Sequence, residues 1–228
     1  MTQDCSLSTS TASASAAPRG KRLPKGIRIV GADLRSAPKL EAVPVGQQEL
    51  PWGYIVLQHM AAGAFEQRLA QCPPADGGFK PRCFIHRTVI YRQKPSGHGV
   101  QKEERPSVSG LVFLQGTTRR LRAYLRDHFP RYHLVRNCAT GRPASIPDAV
   151  MRPFMDVMRD DPRRITFLQA PFERFAADHV RLRVLTGPFA GQEGYVVRVR
   201  RDRRLVMDFG GYAVAISDVH NDDFAVAE

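Results

Sequence analysis

The chain has 228 residues, a length that accommodates one or two domains. Hydrophobic residues make up 43% of it, the mean hydropathy is −0.32, and no apolar run approaches the roughly 18 residues that cross a bilayer, so we expect no integral membrane protein. Four scattered cysteines, Cys5, Cys72, Cys83 and Cys138, are too few for a disulfide scaffold, and a reducing, cytoplasmic setting is expected.

Basic residues outnumber acidic ones by 34 to 22, which gives a formal charge of +12 and a pI of about 10.1. Such a charge favours a polyanionic partner, namely DNA, RNA or a nucleoprotein machine, although a merely solubilising charge is the alternative. Residues 51–163 carry 18 basic and 9 acidic side chains, whereas residues 164–228 carry nine of each. The chain is therefore predicted to be electrically bipartite.

The first 48 residues are predicted to form a disordered, basic tail rich in serine and alanine. Residues 6–17 are of low complexity and offer almost nothing to bury. A basic stretch follows at residues 18–28. A targeting peptide is the weaker alternative, because the arginines come late and no secretory apolar region is present.

Ordered structure is expected to begin near residue 49 and to form an α+β domain that ends near residue 160. Apolar periodicity and turn residues predict a strand at 52–58, a helix at 64–72, a long strand at 82–92, a polar hairpin arm at 94–106, a buried strand at 109–116, a helix at 117–129 capped by Thr117 or Thr118, a strand at 131–137 and a helix at 148–158. The arrangement is βαββαβα, an antiparallel sheet with flanking helices.

Residues 161–177 lack periodicity and are interpreted as a linker. Four short strands at close spacing follow, at 180–187, 194–200, 203–209 and 212–217. This spacing is typical of a small β-barrel, which we place at residues 178–228.

The most specific stretch is residues 182–199, which has the form of a KOW motif in an SH3-like barrel. Gly187 and Gly191 allow a tight arch with positive φ, Pro188 fixes one bend, Phe189 can fill the barrel mouth, and Gly194 returns the chain to the sheet. Any SH3-like barrel with a glycine-rich turn is the alternative.

Residues 51–228 resemble the NusG family, with an NGN domain at 49–160 and a KOW domain at 178–228. The resemblance rests on the opening strand at Trp52, Phe65-Glu66 after Gly63, the order of strands and helices, and residues 141–147 before the last helix. Residues 141–147 and the long arm at 92–108 are most similar to specialised paralogues of the UpxY/RfaH kind.

The resemblance implies a bacterial, cytoplasmic and monomeric elongation or antitermination factor without enzymatic activity. The NGN domain would bind the β′ clamp helices and the β subunit of RNA polymerase, suppress pausing or termination, and contact non-template DNA or nascent RNA. The KOW barrel would recruit a ribosomal protein or Rho, or touch RNA. A ribosome-associated or RNA-binding structural protein is the alternative function.

Candidate polymerase-binding residues are Tyr54, Phe84, Leu111 and Phe113. The family usually has Pro-Gly-Tyr on the central strand, where this chain has Ser109-Gly110-Leu111, so one aromatic of the expected pocket is replaced by leucine. Plain core packing is the alternative for each of the four.

Two arginine clusters are candidates for phosphate contacts. The first belongs to the second helix and comprises Arg119, Arg120, Arg122 and Arg126, for which a solvated helix face is the alternative. The second is the basic hairpin of the barrel, Arg200, Arg201, Arg203 and Arg204. Since residues 164–228 are neutral overall, the first cluster is the preferred nucleic-acid contact.

We expect neither a cofactor nor a metal site. Cys83 and His86 lie three apart on a predicted strand and would face opposite sides, so Cys72 and Cys83 are interpreted as small buried hydrophobes. No nucleophile elbow, phosphate loop or zinc-protease motif is present.

Overall fold

The structure is a computed structural model that describes residues 21, 23–30, 50–95, 97–137, 140–168, 170, 172–199 and 201–227, with the side chain of Asp76 left out. Over these residues the fold is α+β, with mostly strands and four α-helices. The rest of the predicted tail, Cys5, Cys138 and Arg200 lie outside the described residues.

The described strands, in chain order, are β1 (Arg28–Ile29), β2 (Trp52–Val56), β3 (Arg82–Phe84), β4 (Arg87–Gln93), β5 (Val100–Pro106), β6 (Leu111–Gln115), β7 (Ile165–Leu168), β8 (Arg181–Val184), β9 (Glu193–Val199), β10 (Asp202–Phe209), β11 (Tyr212–Ile216) and β12 (Asp223–Val226). The helices are α1 (Ala62–Gln71), α2 (Thr118–His128), α3 (Asp148–Asp160) and α4 (Glu173–Asp178). The Thr117 hydroxyl caps α2 by accepting from the Arg120 amide, as predicted.

The first half of the fold centres on an antiparallel sheet of order β2-β6-β3. All five residues of β6 are buried, because both faces of this central strand are covered. Val112 and Leu114 point to a core shared with α1 and α2, whereas Leu111 and Phe113 point to the opposite core. This alternation is what divides the sheet into two separate apolar faces.

The predicted long strand at 82–92 is wrong, because the chain changes sheets within it. β3 pairs with β6, and β4 pairs with β5 in a separate two-stranded hairpin. The break falls at Ile85 and His86, consecutive residues that are both buried. The polar arm at 94–106 is a hairpin arm as expected, but Val100–Pro106 is a paired strand rather than a loose connection.

The predicted strand at 131–137 is also wrong. Val135 donates to the Tyr54 carbonyl at 3.0 Å and accepts from the Ala144 amide at 2.8 Å, but the segment forms only an isolated bridge between Arg136 and Pro143. Proline has no amide proton, so a regular ladder cannot continue there.

The second half is a seven-stranded sheet of order β1-β12-β8-β9-β10-β11-β7 that includes the four predicted barrel strands. The interpretation of 161–177 as a plain linker is wrong. β7 adds antiparallel to β11, and Phe172 and Phe175 at α4 pack on the outer apolar cluster of the sheet. The segment contains a short strand, whose side chains alternate, followed by a helix of one and a half turns. It therefore shows no single periodicity that the sequence could reveal.

The tail prediction fails for residues 23–30, because β1 pairs in parallel with β12. The Val30 amide donates to the Phe224 carbonyl at 2.8 Å, and Ile27 packs on the main core. Backbone pairing with β12 and the packing of Ile27 thus place this piece of the chain on the edge of the second sheet.

Candidate functional site

The four predicted polymerase-binding residues lie together on one face of the β2-β6-β3 sheet. The ring centroids of Tyr54 and Phe113 are 5.9 Å apart, and those of Phe84 and Phe113 are 6.2 Å apart. Leu111 follows Phe113 on the same face of β6. Tyr54, Leu111 and Phe113 are at most 2% exposed, and Phe84 is half-buried.

The second sheet covers this face. The Phe209 ring centroid lies 5.9 Å from that of Phe113, and the Tyr212 centroid lies 5.3 Å from that of Tyr54. The Tyr54 hydroxyl donates to the Gly210 carbonyl at 2.6 Å. The four residues therefore form part of a continuous core in this arrangement and do not line an open pocket. Sequence reasoning had no signal for this contact.

Helix α3 lies beside the covered face and belongs to the same core. The Phe154 ring is 4.4 Å from the Phe209 ring and 6.0 Å from the Phe84 ring, measured between centroids. Pro153 lies within α3. The contact between the two halves is thus aromatic and almost wholly apolar.

One polar side chain is buried in this contact without a hydrogen bond. His86 is 3% exposed, and neither of its ring nitrogens has a partner among the described residues. Its ring lies 5.7 Å from Phe154 and 5.4 Å from Phe167 of β7. Burial lowers the pKa of His86 to about 4, so the ring is neutral at physiological pH.

Cys83 is not a reactive thiol. Burial raises its pKa to about 12, with a further contribution from the charge of Glu66, so the thiolate is not populated at neutral pH. Cys72 and Cys83 are both free, half-buried and packed against the core shared with α1 and α2. No group of three metal-ligating side chains occurs within the described residues.

The first arginine cluster lies on the exposed side of α2. Arg119, Arg122 and Arg126 follow one another at spacings of three and four and share a helix face, which spans about 10 Å. Arg120 turns away, and its guanidinium lies 5.5 Å from the centroid of the Phe79 ring. Arg126 contacts Asp127 at 2.9 Å.

The structure adds two basic residues that sequence reasoning missed. A cavity of about 470 Å³ between α2 and the segment after Pro130 is lined by Arg122, Arg126, His133 and Arg136, with Leu125 in its wall. Both added residues are exposed. The signal in the sequence was weak, because His133 and Arg136 lie three apart in a predicted strand, where residues at that spacing face opposite sides.

The glycine-rich turn before β9 in the second sheet has the predicted positive φ angles. Gly187 and Gly191 both have φ of +84°, and Phe189 is buried in the main core. A side chain at Gly187 would meet Asp222, and one at Gly194 would meet the Val206 carbonyl at 2.4 Å. Pro188 is exposed at the bend.

The second arginine cluster is divided between two faces of the β9–β10 hairpin. Arg204 bonds the Thr166 hydroxyl at 3.0 Å on the outer face. Arg203 faces the other way and donates to the Gly26 carbonyl at 3.4 Å, and Arg201 is exposed at the turn with φ of +82°.

No protein-family model matches the chain, and no curated protein matches it at a significant level. Among the described residues, the structure contains no helix that is both long and apolar enough to span a bilayer.

Proposed function

We propose that this chain is a transcription elongation or antitermination factor of the NusG type, which binds RNA polymerase through residues 49–160 and performs no chemistry itself. The observation that carries the proposal is the apolar sheet face of Tyr54, Leu111 and Phe113, which a second unit with a KOW-like turn covers. An aromatic face of this kind is suited to a groove between two helices of a partner. The β′ clamp helices are the partner that the resemblance implies.

The arrangement of the two halves sets a condition on polymerase binding. The face that would meet polymerase packs against Phe209 and Tyr212, so a partner gains access only when the second sheet moves away. The apparent affinity is then the intrinsic affinity reduced by the fraction of molecules that are open. Phe84, which is half-buried, is the residue of the four that a partner reaches first.

The second part of the proposal concerns nucleic acid. The α2 stripe of Arg119, Arg122 and Arg126 continues into the cavity with His133 and Arg136, and the guanidinium groups suit the phosphates of a nucleic-acid backbone. In a transcription complex this strand would be non-template DNA or nascent RNA. The second sheet would recruit a further factor, a ribosomal protein or Rho, once it is released.

The test uses purified core RNA polymerase and the full chain in an equilibrium binding assay, followed by a pause assay on a long template. We expect binding without nucleic acid and a shorter pause lifetime. Replacing Arg119, Arg122 and Arg126 with glutamine should leave polymerase binding unchanged and reduce the pause effect. Sedimentation with ribosomal subunits in the absence of polymerase binding would instead favour the RNA-binding structural protein.

A further inference from the structure

The amino-terminal segment is bound to the barrel by its backbone and by one ion pair. β1 adds to the free edge of β12, with Arg28 opposite Asp223 and Ile29 opposite Phe224. The Arg28 guanidinium lies 3.3 Å from the Asp223 carboxylate, yet the Arg28 side chain remains 75% exposed. The segment thus adds exposed positive charge to residues 164–228, which carry equal numbers of acidic and basic side chains.

The same segment meets the β9–β10 hairpin at Gly26. The Gly26 carbonyl accepts from Nη1 of Arg203 at 3.4 Å, and Gly26 has φ of +75°. A Cβ at this position would lie 2.7 Å from that nitrogen, and the positive φ favours glycine here. Lys25, the exposed residue before Gly26, is adjacent in the chain to this contact.

The hairpin arginines on this face lack acidic partners. Arg198 lies directly opposite Arg203 in the β9–β10 register, and its Nε donates to the Arg201 carbonyl at 3.3 Å. None of these three arginines forms an ion pair with a carboxylate in the part of the chain that the structure describes. Like charges directly opposite each other on a sheet are destabilising, and an anion between them removes that cost.

Asp202, the nearest carboxylate in sequence, contacts Arg204 at 3.9 Å on the opposite face. The result is a strip of five cations, Lys25, Arg28, Arg198, Arg201 and Arg203, and among the described residues only Arg28 of the five is paired with an acid. Docking of residues 23–30 adds Lys25 and Arg28 to the three hairpin arginines.

We propose that this strip, formed jointly by residues 25–28 and the β9–β10 hairpin, binds the phosphate backbone of a nucleic acid. The Gly26–Arg203 contact and the Arg198–Arg203 register bring separate cations of the segment and the hairpin together, and several separate cations suit a repeating polyanion better than a single phosphate. Arginine forks bind phosphate oxygens in pairs. The contacts are to the backbone, so binding depends on salt and not on base sequence. This site is separate from the α2 stripe and does not depend on polymerase binding.

The test is fluorescence anisotropy with the full chain and three labelled probes of equal length: single-stranded RNA, single-stranded DNA and duplex DNA. All proteins carry glutamine at Arg119, Arg122 and Arg126, so that the α2 stripe does not contribute. The test variant is Arg201→Gln with Arg203→Gln. The control is Arg174→Gln with Arg181→Gln, which removes the same charge from the barrel elsewhere.

We expect the test variant to bind at least one probe about tenfold more weakly than the control, with a salt slope smaller by about 1.4 for a single strand. The preferred probe identifies the source of the phosphates. Gly26→Val, which strains the positive φ of Gly26 and pushes against the Arg203 guanidinium, should weaken binding about threefold. Equal binding of every probe by the test and control variants would overturn the proposal. It would also be overturned if polyglutamate displaced the labelled probe as well as unlabelled RNA of equal charge does.

Discussion

The hydroxyl of Tyr54 donates a hydrogen bond to the carbonyl of Gly210, 2.6 Å away, and joins β2 to the turn between β10 and β11. The two residues are 156 positions apart in the chain, and the bond crosses a contact that is mainly apolar. A single core thereby extends from the β2-β6-β3 sheet into the seven-stranded sheet. The covered face is the one proposed to bind polymerase.

Replacing Tyr54 with phenylalanine removes this hydrogen bond and retains the ring. We expect a loss of about 1 kcal/mol in the free energy of unfolding and faster amide exchange in β2 and β11. Tyr91→Phe is the control, because Tyr91 is 60% exposed on the hairpin. Hydrogen exchange with mass spectrometry measures the effect, and identical exchange in both variants would show that the bond does not hold the two halves together.

The buried His86 makes stability depend on pH. Its pKa falls from 6.5 to about 4 on folding, so the unfolded chain binds the proton more tightly. The contribution of neutral His86 to the free energy of unfolding is fully present above pH 6.5 and is lost as the pH falls toward 4. The total loss is about 3 kcal/mol. Urea unfolding of the wild type and His86→Phe at pH 7.5 and pH 4.5 measures it. We expect a much smaller pH dependence in the variant, and an unchanged one would contradict the assignment.

The fold tolerates no side chain at Gly110. This residue has φ of +74°, and a Cβ would lie 2.3 Å from the Leu57 carbonyl oxygen. Gly110→Ala should therefore destabilise the protein by more than about 2 kcal/mol. Gly141→Ala is a matched control, because Gly141 has φ of +65° with open space around it and should cost about 1 kcal/mol. Similar melting temperatures for the two variants would show that the structure relieves the clash with the Leu57 carbonyl at little cost in stability.

Asp148, at the start of α3, orders the buried edge of the first sheet. It accepts hydrogen bonds from the Trp52 indole at 2.8 Å and the Gln115 amide at 3.2 Å, and it pairs with Arg152. Asp148→Ala leaves a buried indole N–H unsatisfied and should cost about 2 to 3 kcal/mol. Trp52 is the only tryptophan of the chain, so its fluorescence during unfolding reports this site directly.

Asp156→Ala serves as the control for Asp148→Ala, because Asp156 pairs with Arg159 on the exposed side of the same helix. Exposed pairs contribute under about 1 kcal/mol. An equal effect of the two substitutions on the unfolding midpoint would contradict the structural role given to Asp148.

Local patterns predicted most of the regular elements. Helix α2, its Thr117 cap, the buried strand β6 and the Gly187–Gly191 turn all follow from short-range rules about periodicity, capping and positive φ. These rules operate within about ten residues, so a single sequence is enough to apply them.

Features that depend on distant partners were not predictable in this way. β1 and β7 exist because β12 and β11 offer free edges, and nothing in residues 28–29 or 165–168 identifies those edges. The four polymerase-binding candidates, which were chosen by resemblance, lie together on one face of the β2-β6-β3 sheet. Their burial under Phe209 and Tyr212 is a tertiary contact, which local patterns cannot encode.

The most direct test of the central claim compares the affinity of core RNA polymerase for the wild type, Phe209→Ala and Val206→Ala. Phe209 packs on Phe113, whereas Val206 is equally buried on the same strand but points to the outer cluster. We predict that Phe209→Ala raises the apparent affinity for polymerase about tenfold, because it exposes the covered face, and that Val206→Ala leaves the affinity unchanged. Adding Phe113→Ala to Phe209→Ala should abolish the gain. If none of these proteins binds polymerase, or if all bind it equally well, the central claim is contradicted.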